Sequence, residues 1–186
     1  MYSMFEKCSN LKSLNLSSFD TSNVSDMAGM FFDCSSLKSL NLSSFTTSNT
    51  SCMSSMFDYC SSLTSLDISN FNTSNVSDMS DMFNDCSSLL TIYASDKWNT
   101  DKVTDSSSMF RNCTNLKGDI SYDRTVVDKT YAKTSGGYLT YKAATSKTLS
   151  LNINPNTGAV TSYDITTSPI EQFRTFLKRE KLMSAA

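Results

Sequence analysis

The 186-residue chain contains no histidine. That absence removes Ser-His-Asp and Cys-His catalysis, imidazole zinc sites and the usual near-neutral proton shuttle. Charge is scarce too: 18% of residues are charged and the net charge is −2. Duplex nucleic acid rewards clustered Lys and Arg, so no nucleic-acid partner is expected. No apolar run reaches eighteen residues, which predicts no membrane span, and residues 1–10 lack the basic and apolar regions of a signal peptide. No C-x-x-C pair offers itself to zinc, and no carboxylate pair or nucleophile with a base stands out. A non-enzymatic chain with no cofactor and no metal is the expectation.

What the chain does have is serine, 36 in all and 29 of them before residue 119. It also has an internal period of 26 residues. Phe5, Phe31, Phe57, Phe83 and Phe110 are spaced by 26, 26, 26 and 27. Each is preceded by Met and followed three residues later by Cys8, Cys34, Cys60, Cys86 or Cys113. Three further on stand Leu11, Leu37, Leu63, Leu89 and Leu116. A repeat of this length is one supersecondary unit that cannot bury its apolar face alone, so stacking is predicted, Phe on Phe and Cys on Cys.

Within a unit, L-x-x-L-x-L alternates as a short strand would. Met27, Met30, Phe31 and Cys34 fall at the spacing of one face of a short helix. Asp20-Thr21-Ser22-Asn23 supplies turn and N-cap oxygens between them. The predicted fold class is therefore an α/β repeat, a short solenoid of strand-turn-helix coils over residues 1–118. The first unit starts inside a repeat, so its apolar edge is expected to need a cover, from upstream repeats or another chain.

The M-F-x-x-C-S-S-L segment, Met56 to Leu63, and the F-x-T-S-N-V-S-x-M segment, Phe71 to Met79, join the L-x-x-L-x-L signature in register. Together they resemble the bacterial surface protein 26-residue repeats, a BspA-like class of leucine-rich repeat. The resemblance implies a leucine-rich-repeat solenoid, extracellular display and adhesion to host or neighbouring-cell components. It implies no catalytic residues.

Five of the six cysteines share one phase of the repeat, where stacked side chains point in parallel, a poor geometry for disulfides. A buried, reduced ladder is expected there, with Cys52 outside it as a candidate free thiol. The candidate binding face is the outer side of the strand segments: Ser13, Ser39, Ser65 and Thr91, then Asn15, Asn41, Asp67 and Tyr93. Lys97 and Trp98 break the pattern beside it, and aromatic and cationic groups are favoured anchors. Trp98 occupies the column of Phe19, Phe45 and Phe71, so capping competes with ligand contact as its role.

After Gly118 the period ends and the charge changes sign, from −5 over residues 1–118 to +3 over 119–186. Two hairpins are predicted, one turning at Gly136-Gly137 and one between Leu149–Ile153 and Val160–Ile165. Ser168-Pro169-Ile170-Glu171 reads as a capping box opening a helix whose Ile170, Phe173 and Leu177 share a face, a candidate attachment surface. Residues 119–186 are thus expected to form a capping or attachment module of β-hairpins and a helix. The functional expectation is a surface-exposed adhesion module whose partner is a protein or glycan on another surface. The alternative is a structural or assembly protein such as a virion appendage or decoration subunit. Homo-oligomerisation through the N-terminal coil edge or the C-terminal helix would suit that alternative.

Overall fold

The 26-residue period is realised as coils joined by hydrogen bonds between equivalent backbone groups: Ser3 to Ala28, Gly29 to Ser54, Ser55 to Ser80 and Asp81 to Ser107, all at 2.8–2.9 Å. This computed structural model describes residues 1–153, 157 and 160–169. Two units are distinguished, Met1–Lys142 and Ala143–Ala186. The described elements are strands β1 (Ser65–Asp67), β2 (Thr91–Ala94), β3 (Leu139–Tyr141), β4 (Thr145–Ile153) and β5 (Val160–Pro169), with one 3₁₀ turn at Lys129–Tyr131.

The strand-turn-helix unit is not what forms. The segment expected to be helical runs as consecutive turns, with a left-handed residue at Gly29 (φ 61°) and another at Asp33 (φ 53°). The same two positions recur in every coil, at Ser3, Ser55, Asp81 and Ser108 and at Lys7, Tyr59, Asp85 and Asn112. Met27, Gly29, Phe31 and Asp33 donate their N–H groups to Cys52, Ser54, Met56 and Asp58 of the next coil at 2.8–3.0 Å. The alternate residues Met30, Phe32 and Cys34 donate back to Met27, Gly29 and Phe31 at 3.0–3.3 Å. An α-helix would spend every interior N–H within its own coil. The alternating turn gives half of them to the neighbour, and this inter-coil ladder offsets the roughly 1–2 kcal/mol that a left-handed non-glycine residue costs. Met27, Met30, Phe31 and Cys34 still face the core, each fully buried. Helical spacing of apolar residues therefore reported burial correctly and backbone conformation wrongly.

Strand pairing is also narrower than the repeat implies. Among the described residues of the repeat, regular strands appear only at β1 and β2, which pair in parallel, Ser65 with Thr91 through Asp67 with Tyr93. The expected leucine-rich-repeat solenoid is thus replaced by a stack that is mostly turns and irregular backbone.

The core is a set of columns. Rings of Phe5, Phe31, Phe57, Phe83 and Phe110 stack at centroid distances of 5.4–5.8 Å. Each fully buried ring contributes on the order of 1.5–3 kcal/mol before chain entropy is charged. The column ends at Tyr138, whose ring meets Phe110 edge-on at 5.3 Å and 76°. An edge-on ring closes a stack that a parallel one would extend.

The predicted turn at Gly136-Gly137 forms, with Tyr138 and Leu139 donating to Tyr131 and Lys133 at 2.8 and 3.2 Å, but its arms do not pair as strands. Leu139–Tyr141 joins β2 in parallel, Ile92 with Leu139 and Ala94 with Tyr141, making the sheet order β1-β2-β3. Residues 119–142 thus seal the last coil, and Phe110 donates its N–H to Val127 at 2.8 Å.

In the second unit, β4 and β5 pair antiparallel from Thr145 with Pro169 to Ile153 with Val160. Ser168 and Pro169, read as the start of a helix, lie instead at the end of β5. A capping signature is local, and a partner strand running to Thr145 overrides it; β5 is an edge strand of a two-stranded sheet, where proline is tolerated. Ile170, Phe173 and Leu177 lie outside the described residues.

Candidate functional site

The face expected to bind is largely occupied with holding its own turns. Ser13, Ser39 and Ser65 are exposed, and so are Asn15, Asn41 and Asp67. Yet the side-chain oxygens of Asn15, Asn41 and Asp67 each accept the N–H two residues on, from Ser17, Ser43 and Ser69, at 3.0 Å. These are Asx turns, repeated coil after coil. Thr91 and Tyr93 are half-buried, and Lys97 is exposed. Trp98 leaves the face altogether: it is 7% exposed, and its Nε1 donates to the Ala132 carbonyl at 2.9 Å.

One local cluster does assemble there, through a residue that the repeat does not announce. Lys142, following β3, forms an ion pair with Asp67 and lies 5.5 Å from the centre of the Tyr93 ring. Burial works against the charge on Asp67, but Lys142 and the Ser69 hydroxyl and N–H outweigh it and hold the carboxyl below its usual range. The two partners are 75 residues apart in sequence, so no local signal could pair them.

The cysteine column has a polar role beyond filling space. Sγ of Cys34, Cys60, Cys86 and Cys113 donates to the carbonyl of Phe5, Phe31, Phe57 and Phe83, respectively, at 2.9–3.2 Å. Burial pushes the thiol of Cys34 up to about 11 and that of Cys113 up to about 12, and it raises Cys60 and Cys86 as well. Such thiols are inert at neutral pH. Cys8 is exposed, and Cys52 is half-buried between Asp26 and Asp78, with which it forms parallel bridges. Asp26, Asp78 and Asp105 each cap the N–H two residues on, at Ala28, Ser80 and Ser107, so Cys52 replaces a turn-capping aspartate.

A second buried group breaks the repeat. Asp58 is 5% exposed, Asn84 above it donates Nδ2–H to Asp58 Oδ1 at 3.0 Å, and Asn84 Oδ1 is buried with no donor. Burial raises the Asp58 carboxyl to about 6; the Asn84 hydrogen bond opposes the rise, while Asp81 and Asp85 add to it. The equivalent position is Glu6, Phe32 or Arg111 in the other coils.

Beside these lies a cleft of about 220 Å³ between the first three coils, lined by Tyr2, Ser3, Glu6, Ala28, Gly29, Phe32, Ser54 and Ser55. Tyr2 is 70% exposed, and Phe32 is half-buried, its ring meeting Tyr59 edge-on at 5.9 Å. Tyr59 itself is exposed. None of these residues was singled out from sequence. The signal was present as departures from the repeat: Ala28-Gly29 stands where the next coils have Ser54-Ser55, Ser80-Asp81 and Ser107-Ser108. The edge of the first coil, the other partner surface expected, carries exposed Met4 and partly buried Phe5, Leu11, Leu14 and Phe19.

Among the described residues no group of three or more Cys, Asp or Glu side chains is placed to hold a metal ion, and no helix is long and apolar enough to cross a membrane.

No curated protein and no solved structure matches the chain. The family described as "Mycoplasma protein of unknown function, DUF285" matches residues 1–123, the whole repeat and the start of its seal. That match covers well over half of the sequence, and the chain belongs to this family.

Proposed function

We propose that this chain is a non-enzymatic binding module, displayed on a cell surface, that recognises a host, matrix or neighbouring-cell component through the side of its stacked coils. One observation carries the reading. Tyr2, Phe32 and Tyr59 come together on one side of the first three coils, with Tyr2 70% and Tyr59 46% exposed. The corresponding positions elsewhere are small, polar or charged, as at Ser80, Asp85 and Asn84. The fold does not use these rings in its core, and exposed aromatic groups are the anchors favoured at recognition surfaces. The family's relation to BspA-like repeat proteins, together with the repeat's own resemblance to them, supports surface display and adhesion.

The experiment is a saturation-binding assay of labelled protein on cultured cells and on immobilised matrix proteins. Saturable binding that falls when Tyr2 and Tyr59 are both replaced by Ala, but persists after Tyr93→Ala on the strand face, is the expected result. Binding that never saturates, or that both substitutions leave intact, refutes it. Asn41 and Asp67 are poorer probes, because replacing them also removes a turn cap.

A further inference from the structure

The cleft between the first three coils is lined by three departures from the repeat, two of them small and one aromatic. Ala28 and Gly29 are the smallest pair in their columns, and Phe32 stands where the next coils have Asp58 and Asn84. Gly29 is left-handed (φ 61°), and a Cβ built there would lie 2.9 Å from Ser3 Oγ, at the cleft wall. Backbone conformation does not demand glycine, since Ser55 and Ser108 adopt the same conformation at φ 52° and 54°. Glycine here lets the Ser3 side chain approach the backbone of the second coil and line the cleft.

The walls combine two chemistries. Phe32 is held by its edge-on contact with Tyr59 and by Lys7, whose Nζ lies 5.9 Å from the ring centre, so its ring is fixed before any ligand arrives. Tyr2 adds a second, exposed ring. Ser3, Ser54 and Ser55 bring hydroxyls, and Glu6 brings a carboxylate held below its usual range by hydrogen bonds from Ser3 and Lys7. An apolar ring face beside hydroxyls and one acceptor suits a ligand that is itself amphipathic, flat and small. A pyranose has that form: C–H groups crowd one face and hydroxyls ring its edge. Its size is also right, because about 150 Å³ already holds benzene and this cleft has about 220 Å³.

We infer that the cleft binds the pyranose ring of a neutral hexose or N-acetylhexosamine of a glycan, stacked on Phe32 and Tyr2 with its hydroxyls toward Ser54, Ser55 and Glu6. An uncharged sugar suits these walls, because the Glu6 carboxylate is already paired with Lys7 at 3.3 Å and leaves no free cation for an acidic one. This inference rests on the binding-module reading and assigns its ligand and its site.

The test uses saturation-transfer NMR of the full chain with methyl β-glucopyranoside, methyl β-galactopyranoside and methyl N-acetyl-β-glucosaminide, and with glucuronic acid as the acidic comparison. Transfer to the ring C–H protons of at least one neutral glycoside, and weaker transfer to glucuronic acid, is expected. The informative variant returns the second coil to its neighbours' sequence, with Ala28→Ser, Gly29→Ser and Phe32→Asn together; each residue already occupies the equivalent position in another coil, and the new Cβ at position 29 requires the Ser3 hydroxyl to move. Both this variant and Tyr2→Ala should bind at least about tenfold more weakly, the equivalent of one lost stacking contact, while still melting cooperatively. No transfer from any neutral glycoside, or equal transfer in the variants, overturns the inference. If the variants bind cells and matrix as well as the unaltered protein does, the sugar cleft fails while the adhesion reading stands. If the unaltered protein binds no surface at all, that reading fails as well.

Discussion

The thiol of Cys86 donates to the carbonyl of Phe57 at 3.0 Å, and the N–H of Cys60 reaches the same oxygen at 3.1 Å. The carbonyls of Phe5, Phe31, Phe57 and Phe83 thus each receive their own coil's N–H and the next coil's S–H. A cysteine ladder that looks like small hydrophobic filler also links coil to coil.

This geometry predicts which thiols react. In the native protein, a thiol reagent should modify Cys8 quickly and Cys52 slowly, while Cys34, Cys60, Cys86 and Cys113 react only after denaturant is added. Mass spectrometry after timed labelling counts them. Rapid native labelling of any of the four buried thiols would show that the column is open. Cys86→Ala should cost about 1–3 kcal/mol, combining the lost donor with a small cavity.

A threonine column performs a similar service. Thr73, 1% exposed, gives its hydroxyl hydrogen to the Asn99 carbonyl at 2.7 Å and accepts the Asn99 N–H at 2.8 Å. Thr47 does the same with Asn72. Thr73→Val keeps the shape and strands both backbone groups, so a loss of about 2–4 kcal/mol is expected. Thr73→Ser keeps both bonds and should cost only about 1 kcal/mol. Urea unfolding of the two variants measures the difference; equal costs would mean that the hydroxyl contributes nothing.

Asp58 sets a pH dependence. Its carboxyl moves from an ordinary 3.8 to about 6 in the fold, raised chiefly by burial. The folded chain therefore holds the proton more tightly than the unfolded chain does. The resulting stability is complete below about pH 4 and is lost as pH rises through about 6. An ionised Asp58 can only accept, beside an Asn84 oxygen that already lacks a donor. Asp58→Asn restores a donor without charge, and at pH 7 it should stabilise the protein by roughly 1–3 kcal/mol while flattening this part of the pH profile. Melting curves from pH 4 to pH 7.5 compare them; a substitution that destabilises equally at every pH excludes a titrating role.

The seal at the end of the stack can be followed with one fluorophore. Trp98 is the single tryptophan, buried and bonded to Ala132. Tyr138 is fully buried, closes the Phe column and donates its hydroxyl to Val126 at 2.9 Å. Tyr138→Ala should cost about 3–5 kcal/mol, and it should shift Trp98 emission to the red under native conditions as residues 119–142 loosen. A loss below about 1 kcal/mol with unchanged emission would place the end of the core elsewhere.

Much of this molecule was legible in one dimension. The 26-residue register set which side chains stack, and the Phe rings do so within 6–8° for the first two steps. Burial of the Met, Phe, Cys and Leu columns followed from the same spacing from the second coil on, because apolar side chains that recur once per coil have only one another to pack against; in the first coil Met4 and Cys8 are exposed instead. The bias of the candidate surface was harder to see. Asn15, Asn41 and Asp67 looked available because they alternate with leucines, but the oxygen of each is committed to a turn two residues away. The residues that form the cleft were hidden as small departures from consensus, conspicuous only once three coils are side by side.

The amino-acid sequence by itself determined the period, the identity of the columns and the absence of histidine chemistry, since each depends only on residue type and spacing. Tertiary structure alone decided how the backbone meets that period. Stacking offers every coil a neighbour for half of its N–H groups, so left-handed turns at Gly29 and Asp33 prevail over the helix that local spacing favours. It also decided that Trp98 points into the seal, that Lys142 comes back across the sheet to Asp67, and that Ala28, Gly29 and Phe32 meet Tyr2, Ser3 and Glu6 around one cleft. Each of those outcomes depends on groups distant in sequence meeting across a coil boundary, which no local pattern encodes.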